Sequence, residues 1–425
     1  MDPMPNDAAL DLIAGFGDFV TTSPTSYHAV AEMARQLTAA GFTRVDETHR
    51  WDEVRGAFFV IRDGALIAWL AGEEVDERSG FRVVGSHTDS PSFKLKPNPT
   101  MTTAGWQQCG MEVYGGGLLN SWLDRELGLA GRLVTIDGTA TLVKTGPIAR
   151  IAQLAPHLDR TVNDTLHLDR QQHMMPFYSL DTTLDIEEYL CRVARIDVSD
   201  LAHHDVFAFT TEAPAVFGPD EEFFASSRMD NLSSVYASLR ALLEAEPGHD
   251  VQVLAAFDHE EVGSSTRSGA CGPFLEDVLL RIASGLGVEG ADHRAMLARS
   301  SCLSADAGHA VHPNYVNMHD PNNHPQLNGG PLLKINANQR YATDAIGAAL
   351  WKRACEAADV PTQAFVGNNS VPCGSTTGPL TATRLGILTV DVGIPLLSMH
   401  SARELCGVED PWYFTRAIGA YWAGA

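Results

Sequence analysis

Five short segments of this sequence place a His, Asp or Glu beside small residues, mostly just after an apolar run. They are GSHTDS (85–90), RMDN (228–231), DHEEVG (258–263), SADAGH (304–309) and SMHS (398–401). Together they supply two histidines and three carboxylates as ligands, with a further carboxylate beside them. Two divalent cations held by such a set share a water and polarise one substrate oxygen. The segments therefore predict a two-metal hydrolytic site, and nitrogen and oxygen ligands suit Zn²⁺, Co²⁺ or Mn²⁺.

The first two segments supply His87 and Asp89, which lie close together in sequence, and Asp230, which lies before a predicted helix. His87 ends the strand-like run FRVVGS, and Asp89 follows two residues later. In an extended chain these side chains share a face, so Asp89 is predicted to orient the His87 ring. Asp230 precedes an amphipathic helix, where it fits either a helix N-cap or a carboxylate that bridges two metals.

The remaining candidates follow apolar strands. Glu260 and Glu261 come after VQVLAAF, and adjacent strand residues point in opposite directions. The pair can therefore divide its work, and we assign Glu260 as general base and Glu261 as metal ligand. Asp306 follows SCLSA, and His400 comes after GILTVDVG. Open α/β sheets place their ligand sites at such strand ends, which predicts that these side chains meet.

Helical and strand-like patterns alternate along most of the chain, which predicts an α/β domain with a mixed sheet flanked by helices. Strands are predicted at 58–62, 65–72, 81–86, 251–257, 301–305 and 386–393, and helices at 7–40 (with a turn at 21–26), 231–246, 274–284 and 343–358. The Pro-rich stretch KLKPNPT (94–100) is predicted to be a crossover. We expect a discontinuous catalytic domain of residues 1–94 and 229–425, interrupted by an inserted, mainly β domain at 95–228.

Composition excludes several classes of protein. A net charge of −23 argues against nucleic acid or an anionic membrane as partner. Seven cysteines, an odd number without a CxxC pair, predict neither a disulfide framework nor a thiolate zinc site. The acidic start MDPMPNDAALD lacks the apolar segment expected of a signal peptide, and no apolar stretch approaches 18 residues. We therefore expect a cytoplasmic protein.

Motifs for other chemistries are absent or misplaced. GLGVEG (285–290) matches a dinucleotide fingerprint, but it follows a helical run and not a strand. The sequence has no GxSxG, Walker A or HExxH motif. The run GGG (115–117) predicts a tight turn or a close backbone approach.

Close to its full length, the chain resembles the aspartyl aminopeptidases, a family of co-catalytic zinc metallopeptidases. The resemblance rests on the order HxD…D…EE…D…H and on segments that include SPTSYHAV (23–30), GSHTDSPSFKLKP (85–97), YGGGLLNSWLDRELGLAGRL (114–133), FFASSRMDNL (223–232), FDHEEVGSST (257–266), KINANQRYATD (334–344), PCGSTTGP (372–379) and SMHSARE (398–404).

The resemblance implies a role for each matching residue. His87 and Asp306 would complete one metal site and Glu261 and His400 the other, with Asp230 bridging. Glu260 would be the general base, and Asp89 would orient His87. Zinc is the metal most expected.

Substrate and assembly are also implied by the resemblance. Family members remove N-terminal Asp or Glu from peptides, and Lys334 and Tyr341 would hold that acidic side chain. Members assemble as tetrahedral dodecamers, which implies that the inserted domain at 95–228 mediates oligomerisation. Some relatives send a His from this domain into a neighbour's site, where this chain has Gln153.

Two alternatives to this function are open at this stage. The same metal pair could serve an aminopeptidase of neutral or broad specificity. A non-catalytic scaffold that keeps the fold would have lost metal ligands, and none of them is missing from this sequence.

Overall fold

The chain folds into a helix-flanked sheet and a β-barrel. The computed structural model describes residues 5–425, so residues 1–4, at which the predicted catalytic domain and the acidic N-terminal segment both begin, lie outside the described residues. The helices within that range are α1 (Asp7–Thr22), α2 (Ser26–Ala39), α3 (Ile186–Ala194), α4 (Met229–Leu243), α5 (Phe274–Gly285), α6 (Gly290–Arg299), α7 (Ala345–Ala358), α8 (Thr377–Leu385) and α9 (Asp410–Trp422).

The strands belong to two large and two small sheets. In chain order they are β1 (Thr43–Arg44), β2 (Gly56–Arg62), β3 (Ala65–Ala71), β4 (Phe81–His87), β5 (Ser92–Thr103), β6 (Trp106–Tyr114), β7 (Glu126–Thr135), β8 (Ala140–Lys144), β9 (Ala149–Arg150), β10 (Phe177–Ser179), β11 (Leu201–Thr210), β12 (Ala215–Phe217), β13 (Phe223–Ser226), β14 (Val251–Phe257), β15 (Ser301–Ala305), β16 (Gly308–His309), β17 (Leu332–Ile335), β18 (Gln363–Val366), β19 (Leu388–Gly393), β20 (Pro395–Leu396) and β21 (Glu404–Gly407). Short 3₁₀ turns lie at Leu119–Trp122, Val198–Asp200, Glu260–Val262 and Val316–Met318.

The larger sheet is mixed, with the order β1-β2-β3-β14-β4-β15-β19-β17-β18. Its four central strands, β14, β4, β15 and β19, are parallel, so their carboxyl ends lie at one edge. Every residue of β14 is buried, as its nearly continuous apolar sequence predicts for a strand covered on both faces. This sheet and the helices around it confirm the predicted α/β class.

Helices cover both faces of this sheet. On one face, apolar side chains of α1, α2, α4, α7 and α9 pack against the strands in a single buried cluster. On the other face, α5 and α6 form a second cluster with β3, β4 and β14. None of the helices formed by residues 5–425 combines the length and the apolar character needed to cross a bilayer.

The inserted segment forms a closed barrel in which β11 pairs with both β5 and β7. This closure removes the edges that an open sheet would present, except at β8, which pairs with β7 alone among the described residues. The barrel encloses its own apolar core, which α3 completes.

The predicted crossover at 94–100 is wrong, because this stretch belongs to β5. The register between β5 and β6 shifts between Leu95 and Thr100, which marks a bulge at Pro97 and Pro99. Proline has no N–H for a strand ladder and is tolerated at bulges, so a Pro-rich sequence remains inside a strand here.

Charged side chains connect the barrel to the larger sheet. The Arg132 guanidinium lies 3.0 Å from Asp63 and 2.9 Å from Asp205, and it stacks on the Tyr27 ring. Lys144 Nζ donates to the main-chain oxygen of Thr21, at the carboxyl end of α1, where a cation is favoured by the helix dipole. These contacts hold the barrel against the edge at which the central strands end.

Candidate metal centre

The predicted ligands come together where the central parallel strands end. His87 is the last residue of β4, and Asp306 directly follows β15. Glu261 lies in the 3₁₀ turn that follows β14, and Asp230 lies at the start of α4 with non-helical dihedral angles. His400 reaches the group from the loop before β21, where its φ is +65°.

Asp230 lies between the two histidines. Its Oδ1 is 3.4 Å from His87 Nε2, and its Oδ2 is 3.3 Å from His400 Nε2. On the first side Asp306 Oδ1 is 3.7 Å from His87 Nε2, and on the second Glu261 Oε2 is 3.5 Å from His400 Nε2. The groups His87–Asp230–Asp306 and Asp230–Glu261–His400 each offer ligand atoms within 4.8 Å of one another. The geometry therefore fits two cations that share the Asp230 carboxylate.

Glu260 lies at the rim of this cluster. Its Oε2 is 4.0 Å from His87 Nε2, and its side chain is 18% exposed, against 4% for Glu261. The two glutamate side chains do have different surroundings, but the predicted reason is wrong. β14 ends at Phe257, and the side chains are separated by a 3₁₀ turn that begins after His259, whose φ is +63°. The strand alternation invoked for them does not extend this far.

The electrostatics of the cluster favour divalent cations. Among the described residues, neither Asp230 Oδ1 nor Glu261 Oε1 has a hydrogen-bond partner, although both atoms are buried. Burial raises the pKa of Glu260 to about 7 and holds that of Glu261 well above its usual value, with repulsion from Asp230 adding to both. Burial opposes charge on His400, but the Asp230 hydrogen bond raises its pKa to about 10. Buried charges of this kind are paired or coordinate metals, so the donor set fits the predicted ions.

Asp89 is held at the centre of a hydrogen-bond network behind the cluster. Its carboxylate accepts from the N–H groups of Glu260 (3.0 Å) and Glu261 (3.2 Å) and from the Tyr114 hydroxyl (2.7 Å). His87 Nδ1 lies 3.0 Å from the main-chain oxygen of Asp89 and 3.4 Å from its Oδ1. The residue thus contacts both the His87 ring and the turn that carries the two glutamates.

The barrel contributes contacts that sequence reasoning missed. Tyr114, at the end of β6, supplies the hydroxyl to Asp89, and burial keeps the pKa of this phenol above its usual value. The main-chain oxygen of Gly116 lies 3.1 Å from His400 Nδ1 and can fix its tautomer. A Cβ on Gly115 would lie 3.1 Å from that of Glu261, so the glycine run makes the predicted close approach. The sequence alone does not show that Glu261 is the residue beside this glycine.

The remaining predicted residues separate into two places. Lys334 is buried on β17, with Nζ 2.6 Å from the Ala307 oxygen and 3.8 Å from Asp306 Oδ2, and the Tyr341 ring lies 5.4 Å from it. Both therefore adjoin the cluster. Gln153 is exposed on the barrel and donates to Asp124, within its own chain.

Comparison with known proteins places this chain in a family. Residues 19–422 match the family described as Aminopeptidase I zinc metalloprotease (M18). The chain belongs to the M18 family. It is therefore a zinc metallo-aminopeptidase, a hydrolase, which confirms the predicted enzyme class.

Relatives support this membership over the whole length. A probable M18 family aminopeptidase 2 of Streptomyces coelicolor is 48% identical over 412 residues, covering 95% of each chain. The S. cerevisiae mApe1 dodecamer superposes on this M18 aminopeptidase with a TM-score of 0.88 at 28% identity, covering 99% of this chain and 98% of the other. The Thermotoga maritima M18 aminopeptidase shares the fold, with a TM-score of 0.90 at 24% identity over 99% and 98% of the chains.

Replacing Tyr114 by Phe should lower kcat/KM by about 10-fold or more, because Asp89 loses its hydroxyl donor and outer contacts of metal sites typically contribute 10- to 100-fold. Steady-state kinetics on an aminoacyl p-nitroanilide measures this. Tyr178→Phe is the matched control, since Tyr178 donates to the Leu184 oxygen in the same barrel, away from the cluster. Equal kinetic losses in both variants would contradict the role of Tyr114.

Proposed function

We propose that this M18 aminopeptidase uses two divalent cations to remove N-terminal Asp or Glu from peptides. Zinc is the expected metal, with cobalt and manganese as alternatives. His87 and Asp306 would hold one cation, Glu261 and His400 the other, and Asp230 would bridge them. The observation that carries the acidic preference is the buried ammonium of Lys334 beside Asp306. The domain division at residues 95–228 and the Asp89 orienting role belong to the same proposal.

The residues around the cations would carry the proton transfer. Bound divalent ions supply a polarised scissile carbonyl and a water of lowered pKa. The Glu260 carboxylate, partly exposed and facing the cluster, accepts a proton from this water and donates it to the leaving amine.

Lys334 has the surroundings of a specificity residue. Its side chain is 2% exposed, and it lies among the apolar side chains of Leu332, Tyr341 and Phe365. A buried ammonium gains most from a carboxylate partner. Its ammonium donates to the Ala307 oxygen, and the nearby Asp306 carboxylate, 3.8 Å away, would be engaged with a cation. An acidic substrate side chain would supply a carboxylate partner. Tyr341 would form one wall of this pocket.

Glu260→Gln should retain both metals and lose about 10²–10⁴-fold in kcat, because the amide cannot accept the proton. Metal analysis of the purified variant and its turnover test this together. His87→Ala, which removes a proposed ligand, is the comparison that should lose metal. Near wild-type turnover by metal-replete Glu260→Gln protein would refute the assignment.

Lys334→Met should lower the preference for Asp over Leu substrates by about 10- to 100-fold, since a charge-assisted hydrogen bond contributes roughly 1.5–3 kcal/mol. Rates on α-Asp-, α-Glu-, Leu- and Ala-p-nitroanilide, with and without chelator, measure it. The control is Lys352→Met, whose lysine is 72% exposed on α7.

Three outcomes of this panel distinguish the alternatives. Chelator-sensitive cleavage confined to Asp and Glu substrates, lost in Lys334→Met, supports the proposal. If the wild type cleaves the Leu or Ala substrate fastest, the metal mechanism stands and an aminopeptidase of neutral or broad specificity is favoured. An acidic preference that survives Lys334→Met removes Lys334 from the role of selector.

We also propose a homo-dodecamer in which the barrel makes much of the contact. The S. cerevisiae relative is a dodecamer, and the inserted segment exposes large apolar side chains such as Ile136 (76%), Leu158 (76%) and Leu180 (69%). Light scattering should give about twelve times the 45.8 kDa chain mass. A monomer at micromolar concentration would contradict this assembly.

A cytoplasmic location stays a prediction.

A further inference from the structure

Glu404 is a buried carboxylate outside the proposed ligand set. It is the first residue of β21 and is 2% exposed. Its Oε2 accepts from the main-chain N–H groups of Met229 (2.6 Å) and Asp230 (3.0 Å), and its Oε1 accepts from that of His400 (2.7 Å). One side chain therefore contacts the main chains of two proposed ligands that are 170 residues apart in sequence.

Regular secondary structure does not fix these two main-chain segments. Asp230 interrupts the start of α4 with φ −81° and ψ 102°, and His400 has a left-handed φ of +65°. His87, by contrast, ends a central strand, and its backbone is held by the sheet. The N–H groups of Asp230 and His400 need an acceptor from elsewhere in the fold, and Glu404 supplies it.

We propose that Glu404 is a positioning residue that holds Asp230 and His400 at the spacing required by the cation between them. The inference rests on the ligand set proposed above. With both main chains attached to one carboxylate, the 3.3 Å approach of His400 Nε2 to Asp230 Oδ2 no longer depends on two independent loops. Glu404 lies opposite Ser226 in the β13–β21 pairing, so the sheet in turn fixes Glu404.

Both oxygens of Glu404 are needed in this arrangement. A glutamine keeps the size of the side chain but has one acceptor oxygen, so its NH₂ group must face either His400 N–H or the Met229 and Asp230 N–H groups. Two donors then oppose each other in a buried place, which costs the free energy of an unsatisfied polar group. The affected main chain must move, and its ligand moves with it.

Asp410 offers a matched control within the same fold. It is fully buried and also accepts from three main-chain N–H groups, those of Asn328, Gly330 and Gly407, at 2.8–3.2 Å. None of these residues is a proposed ligand. Asp410→Asn therefore removes a buried carboxylate that accepts three hydrogen bonds but has no direct contact with the cluster.

The test is a zinc affinity measurement on the assembled, metal-stripped enzyme by titration against a competing chelator, together with the melting temperature with and without zinc. Glu404→Gln should bind one of its two zinc ions about 10- to 100-fold less tightly than the wild type. Asp410→Asn should melt at a lower temperature but keep wild-type zinc affinity. Unchanged affinity in Glu404→Gln, or an equal loss in Asp410→Asn, overturns the proposal.

Two further variants keep the result decisive. His400→Ala tests the ligand set itself: if it retains wild-type affinity, the proposed function fails, whereas a loss in His400→Ala with none in Glu404→Gln removes only the role of Glu404. If Glu404→Gln does not fold, Glu404→Asp takes its place, because it keeps both oxygens on a shorter side chain. Weaker zinc binding by Glu404→Asp supports the proposal, and wild-type binding overturns it.

Discussion

The carboxylate of Asp230 is the feature on which the arrangement of the site depends. It is buried between two histidines, with one oxygen toward each, and it lies among other carboxylates that burial and mutual repulsion make costly to ionise. Such a concentration of negative charge is stable in a protein interior only with strong compensation. Bound cations would supply this compensation. The surrounding elements hold Asp230 and its neighbours in place.

Two kinds of support meet at this point. The parallel strands β4, β14 and β15 bring His87, the glutamate turn and Asp306 to one edge, because parallel strands end together. Asp230 and His400 instead lie on irregular segments that need separate anchors. The barrel's Gly116 and the buried Glu404 provide them, one at the His400 ring and the other at the main chain.

The sequence predicted most elements of the larger sheet and the meeting of the candidate ligands, because both depend on local patterns. The apolar run VQVLAAF became the buried strand β14, and the polar residues after such runs came together as expected. Three features depended on tertiary structure and were not predictable in this way: Pro97 and Pro99 lie in a bulge, Glu260 and Glu261 lie in a turn, and the Tyr114 hydroxyl reaches Asp89 from another sheet. Composition and spacing carry no information about which distant residue will face a given glycine or hydroxyl.

The contacts of Tyr114 and Gly116 have a thermodynamic consequence for the barrel as a whole. Because these residues belong to the barrel but contact Asp89 and His400, the free energy of cation binding and the free energy that docks the barrel onto the sheet are linked. A bound ion would favour docking, and docking would favour ion binding by the same coupling free energy. A barrel that would mediate assembly thereby also influences how firmly each subunit retains its metals.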